Sequence, residues 1–147
     1  MTADPLRLSF VIACAPDHAF DVWTTKFTHW WPSGHSASGD PGTVVTLEPG
    51  LGGRIFERTP DGVEIDWGEV TAWEPPRRLG YTWHIGRERA DATNVEVVFA
   101  DAGHGTTELQ IVHSGWERLG ADGSAWRSAN TAGWSALVPA FRVAAET

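Results

Sequence analysis

A chain of 147 residues fits one domain and is long enough to bury a core without disulfide or metal staples. Its 41% hydrophobic and 20% charged residues describe a globular rather than a disordered polymer. A net charge of −8 without any Lys/Arg run excludes nucleic acid and anionic membrane surfaces as main partners.

The single cysteine, Cys14, excludes an intramolecular disulfide framework, and its setting in IACAP reads as a buried, inert thiol. The start MTADPLRLSF has neither a basic region nor an apolar core of the secretory kind, so no signal peptide is expected. No apolar run approaches the ~20 residues that span a bilayer, and a cytoplasmic location is expected. Nine tryptophans are the anomaly. Each can bury roughly 200 Å², so they imply either an aromatic core or an aromatic-walled pocket.

In chain order, LRLSFVIA (residues 6–13) alternates with period two and predicts a strand with one wet face. PDHAFDVWTTKF follows, with Pro16 suited to a first helical turn and Asp17 to its positive end. Ala19, Phe20, Trp23 and Phe27 recur at helical spacing and lead into the loop HWWPSGH. From Thr43 the chain becomes a meander: TVVTLEP, RIFERT, VEIDWGEVTAW, LGYTWHIG, NVEVVFA and TTELQIVH are six strands parted by turn residues. After GWERLG the period changes. Trp126, Asn130, Gly133, Trp134, Leu137, Phe141 and Ala144 then share one helical stripe, with Pro139 expected to bend the helix locally. A single domain over residues 1–147 is predicted, with one long helix across one antiparallel sheet in two α+β layers. A twisted sheet does not meet a straight helix flush, which leaves room for a cavity.

Alternation then assigns faces. Tyr81, Trp83, Trp67 and, on the helix, Trp134 point between the layers, while Thr82 and His84 point out. His113 shares the inner phase of Leu109 and Ile111. It either ends its strand by bonding the SGW turn or serves as a polar anchor in an apolar pocket. Glu69 faces inward unless Gly68 introduces a bulge, which would turn it outward. Trp30 and Trp31 cannot both face inward; one is expected to pack while the other closes the mouth of the cavity, with Trp116 as a second rim residue. The candidate ligand-binding set is therefore Trp30, Trp31, Trp67, Glu69, Tyr81, Trp83, His113 and Trp134. No HExxH, G-x-S-x-G or metal-spaced Cys/His cluster occurs, and His29 with His35 on an irregular loop makes a poor metal pair. Neither a metal nor a cofactor is expected, and no catalytic residue is assigned.

The series LEPGLGGRIFERTPDG, WGEVTAWEPPRRLGYTW, GTTELQIVHSGW and GWSALVPAF closely resembles the activator-of-Hsp90-ATPase-homologue-like (AHSA1-like) group. That group belongs to the START / polyketide cyclase / Bet v 1-like (SRPBCC) superfamily, and the similarity runs from about Leu6 to Phe141. The resemblance implies a helix-grip fold: a curved seven-stranded antiparallel sheet around a long C-terminal helix, with two short helices after the first strand and a cavity between. The group has no universal catalytic residues, so none carries over. Binding of a hydrophobic or aromatic small molecule is the function expected. A cyclase or hydrolase using the same cavity, with His113 as acid–base group, is the alternative, and a chaperone or stress-response interaction module is another. A monomer or weak homodimer is expected.

Overall fold

Each alternating segment becomes a strand. In the computed structural model, which describes residues 4–32 and 34–147, these are β1 (Leu6–Ile12), β2 (Val44–Leu47), β3 (Arg54–Arg58), β4 (Glu64–Glu74), β5 (Arg78–Trp83), β6 (Thr93–Gly103) and β7 (Thr106–Ser114). Met1–Ala3 and Ser33, the last inside the WWPSGH loop, lie outside the described residues. Helices α1 (Pro16–Thr24) and α2 (Phe27–Trp30) follow β1, and α3 (Gly123–Ala145) closes the chain. Pro16 sits in the first turn of α1 with Asp17 beside it, as their helix-start chemistry favours. The strands form one antiparallel sheet in the order β1-β7-β6-β5-β4-β3-β2. The sheet curls around α3 as a half-barrel, the helix-grip arrangement.

The inner face of the sheet and the facing side of α3 carry the core: Leu79, Val97, Leu109, Ile111, Leu137 and Phe141 are all buried. At 23 residues α3 continues through Pro139. That proline is exposed, so water can serve the carbonyl it leaves without a donor. Short 3₁₀ segments at Arg89–Asp91 and Trp116–Asp122 complete the connections. Trp116 is wholly buried and its Nε1 donates to the His113 carbonyl at 3.0 Å, so it is core rather than rim.

Strand β4 carries the one irregularity that matters for face assignment. Ile55 pairs with Gly68 and Phe56 with Asp66, which leaves Trp67 as an extra residue in β4. The bulge resets the alternation. Glu69 turns to the outer face, where its Oε1 accepts from Arg89 Nη2 at 2.6 Å. A second shift between Val70 and Ala72 brings Trp73 back against Phe20, with ring centroids 5.2 Å apart. Gly68 is required here by close approach: a Cβ at this position would lie 1.9 Å from the Thr82 carbonyl oxygen. Gly68→Ala is therefore expected to separate β4 from β5 and destabilise the fold by more than about 3 kcal/mol in urea unfolding; a loss below about 1 kcal/mol would mean that the bulge yields easily.

Candidate functional site

The gap between sheet and helix is largely filled by the protein's own rings. Trp23 of α1 is buried beneath α3, with centroids 4.8 Å from Phe141, 5.1 Å from Trp30 and 6.1 Å from Trp134. Trp67, Tyr81 and Trp83 stack on one another beyond it, Trp67 to Trp83 at 5.6 Å and Tyr81 to Trp83 at 5.8 Å. Trp67 and Tyr81 are both buried, and burial pushes the Tyr81 phenol well above its ordinary range. These two residues therefore form the wall behind the open space and do not border it.

Open space remains at one end. A cleft of about 310 Å³ lies between the end of β5, the first half of α3 and the loop after α2. Indoles of Trp31, Trp83, Trp126 and Trp134 border it, with Ile85 and Leu137 adding aliphatic surface. Its polar groups are His35, Ser36 and Asn130. The volume sits at the lower end of the ~300–1,000 Å³ typical of small-molecule sites.

The two adjacent indoles of the loop divide their roles. Trp30 is buried, with Nε1 donating to the Val22 carbonyl at 3.0 Å. Trp31 stays half-buried and lies over Trp67 and Trp83, with centroids 5.2 and 5.7 Å apart. Its Nε1 donates to the His35 carbonyl, which folds the loop back along the cleft. Beneath that loop is a residue which the sequence reading did not single out, Glu57. It shares the inward phase of Ile55 and is fully buried. Its Oε1 accepts from the Trp67 indole at 2.8 Å and from the Ala37 amide at 2.6 Å, and its Oε2 from the Ser38 amide at 3.3 Å. Burial pushes this carboxyl up, but the hydrogen bonds from Ser38, Trp67 and Ala37 outweigh it and hold the group below the ordinary carboxylate range. One carboxylate thus ties the strap of residues 36–38 to the sheet.

His113 does not reach the cleft. An indole N–H can only donate, so the bond from Trp134 Nε1 to His113 Nδ1 (3.1 Å) puts the ring proton on Nε2. Nε2 then donates to Thr93 Oγ1 at 2.7 Å, and that hydroxyl donates to the Trp83 carbonyl at 3.0 Å. Both ring nitrogens are hydrogen-bonded within the protein, and His113 does not border the cleft. It holds α3 to β5 and β6 through hydrogen bonds. Glu69, on the outer face with Arg89, is also away from the cleft. His84, expected outside, is buried where the chain leaves β5, its Nδ1 3.1 Å from the Arg87 carbonyl.

Of the eight candidates, the cleft therefore takes Trp31, Trp83 and Trp134, while Trp30, Trp67 and Tyr81 support it from behind. The lining residues missing from the candidate set include Trp126, Asn130, Gly133 and the 34–36 loop, beside Ile85, Ala129 and Leu137. The helical stripe already carried Trp126, Asn130 and Gly133; nothing in a single helix's periodicity tells which part of its stripe stays uncovered.

Burial pulls the His113 pKa from 6.5 to about 3. Between those values the unfolded chain holds a proton that the folded one does not. Stability is then fully present above pH 6.5 and falls on acidification by up to about 1.4 kcal/mol per pH unit. The urea midpoint should drop between pH 7 and pH 4.5, and His113→Gln should be less stable at pH 7 yet flatter across that window. An equal slope in both proteins would contradict the assignment.

Comparison with known proteins gives this geometry a lineage. No curated protein matches the chain. Among solved structures, Txn09, described as an anthrahydroquino-γ-pyrone synthase, is 34% identical over 83% of this chain and 82% of its own, with a TM-score of 0.61. CalC from Micromonospora echinospora, described as a self-sacrificing resistance protein, is 20% identical over 99% of this chain and 96% of its own, with a TM-score of 0.70. An Hsp90 activator from Plasmodium falciparum is 18% identical over 75% of this chain and 71% of its own, with a TM-score of 0.55; these last two share the fold. The family model for activator of Hsp90 ATPase homolog 1-like proteins matches residues 13–146, and the chain belongs to that family.

Proposed function

We propose that the protein binds a hydrophobic or aromatic small molecule in the cleft at the end of α3. The observation that carries this reading is the convergence of four indoles, Trp31, Trp83, Trp126 and Trp134, on one open space of about 310 Å³. Indole faces recognise flat apolar ligands by offset or edge-on stacking, and the few polar groups beside them fix orientation. The likeness to Txn09, whose described product is a fused aromatic, supports the same ligand class.

A second reading, a synthase- or cyclase-type enzyme, is favoured by that same 34% identity to a protein described as a synthase. An enzyme on this chain would act through the polar groups of the cleft, His35, Ser36 and Asn130, since His113 has no free nitrogen. An interaction module has less support. The large apolar side chains most exposed, Val11, Val44, Leu51, Val63 and Val143, are few and come from separate segments of the chain. None of the described helices is long and apolar enough to cross a membrane.

Titration with anthraquinone-2-sulfonate is expected to quench tryptophan emission saturably. Trp126→Ala, which removes one rim indole, should weaken that binding about fivefold without loss of fold. Absence of quenching by this probe and by 1-naphthol up to their solubility limits would refute the reading.

A further inference from the structure

Gly133 lies in the middle of α3, where glycine costs a helix roughly 1 kcal/mol relative to alanine. Elsewhere in this protein, buried glycines in ordinary backbone conformations have a steric reason. A Cβ on Gly53 would lie 2.0 Å from the Glu48 carbonyl oxygen, on Gly68 1.9 Å from that of Thr82, and on Gly123 2.4 Å from that of Trp116. Gly133 has no such neighbour: apart from its chain neighbours and the adjoining helix backbone, no protein atom lies within 4 Å of its Cβ position. No left-handed backbone requires it either. What a side chain there would occupy is the cleft itself. One turn away, Asn130 uses its Nδ2 to donate to the Trp126 carbonyl at 2.9 Å. A carbonyl can only accept, which fixes the amide orientation and leaves Oδ1, half-buried beside the cleft, without a partner among the described residues.

We infer that the Asn130–Gly133 step is the specificity element of the cleft: Gly133 provides the flat floor on which a fused-ring ligand lies, and Asn130 Oδ1 accepts from a hydroxyl on that ligand's edge. The ligand class is then a hydroxylated planar polycycle, a phenol or hydroquinone of two or three fused rings. This rests on the binding reading above and narrows it. A bare hydrocarbon of the same shape would leave Oδ1 desolvated and unpaired, which a partly buried acceptor disfavours.

The test uses two probes of one skeleton, anthraquinone-2-sulfonate and its 3,4-dihydroxy derivative alizarin red S, titrated against tryptophan emission and by calorimetry. The native chain is expected to bind the dihydroxy probe about tenfold more tightly than the parent. Asn130→Leu should abolish that preference while still binding the parent. Gly133→Leu should lose both probes by at least tenfold, yet melt at the same temperature or about 3 °C higher, because it gains helix propensity and its Cβ enters open space. Gly133→Leu binding as well as the native chain, or melting markedly lower, would overturn the role of Gly133. Equal affinity of the native chain for the two probes would overturn the role of Asn130. Either result leaves the general binding reading standing. Failure of the native chain to bind either probe overturns this inference, and the general reading falls with it when 1-naphthol also fails to quench.

Discussion

Trp23 decides what kind of site this fold can hold. It rises from α1 into the space between sheet and helix and meets Trp30, Phe99, Trp134 and Phe141 at centroid distances of 4.8–6.3 Å. A curved sheet and a straight helix leave a gap, and a protein fills it with ligand or with its own side chains. Here rings fill most of it. The remaining space lies at the end of the grip, where the chain leaves β5 and α3 begins, and it is a cleft rather than an interior chamber.

Two hydrogen-bonded devices hold that cleft in shape. On one side the Trp134–His113–Thr93–Trp83 relay joins α3 to the sheet, fixing the Trp134 indole and the backbone carbonyl of Trp83. On the other side Glu57 gathers the Trp67 indole and the amides of Ala37 and Ser38, which keeps the loop folded over Trp31. A buried carboxylate is tolerated because its oxygens are satisfied, and a buried histidine because it stays neutral. Both groups look like candidates for chemistry by residue type alone. Their hydrogen bonds are all made within the protein, on either side of the cleft.

Much of the fold was legible in the sequence. Period-two alternation located all seven strands, and the long stripe from Trp126 to Ala144 located α3 with its inward face. The division of labour between Trp30 and Trp31 was also legible, since neighbours in a chain cannot share one direction. Face assignments stayed open or failed where the period broke. For Glu69 both faces were left open, and the extra residue at Trp67 selects the outer one; His84, assigned outside, is buried at the turn after Trp83, because alternation carries no information across a bulge or a strand end. His113 was given its correct face, but its role depended on Trp134 and Thr93, 21 and 20 residues away. The position of the cleft was beyond reach for a similar reason. It depends on how far Trp23 fills the gap, a matter of three-dimensional volume that no local pattern records.

The claim at the centre of this account is that ligand meets the end cleft and not the ring-filled interior. The indole N–H resonances of the nine tryptophans, followed by NMR during titration with alizarin red S, report on it residue by residue. The account predicts that Trp31, Trp83, Trp126 and Trp134 move while Trp23, Trp30 and Trp116 stay in place. Largest shifts at Trp23 and Trp30, or no shift at any indole at saturating probe, would contradict it.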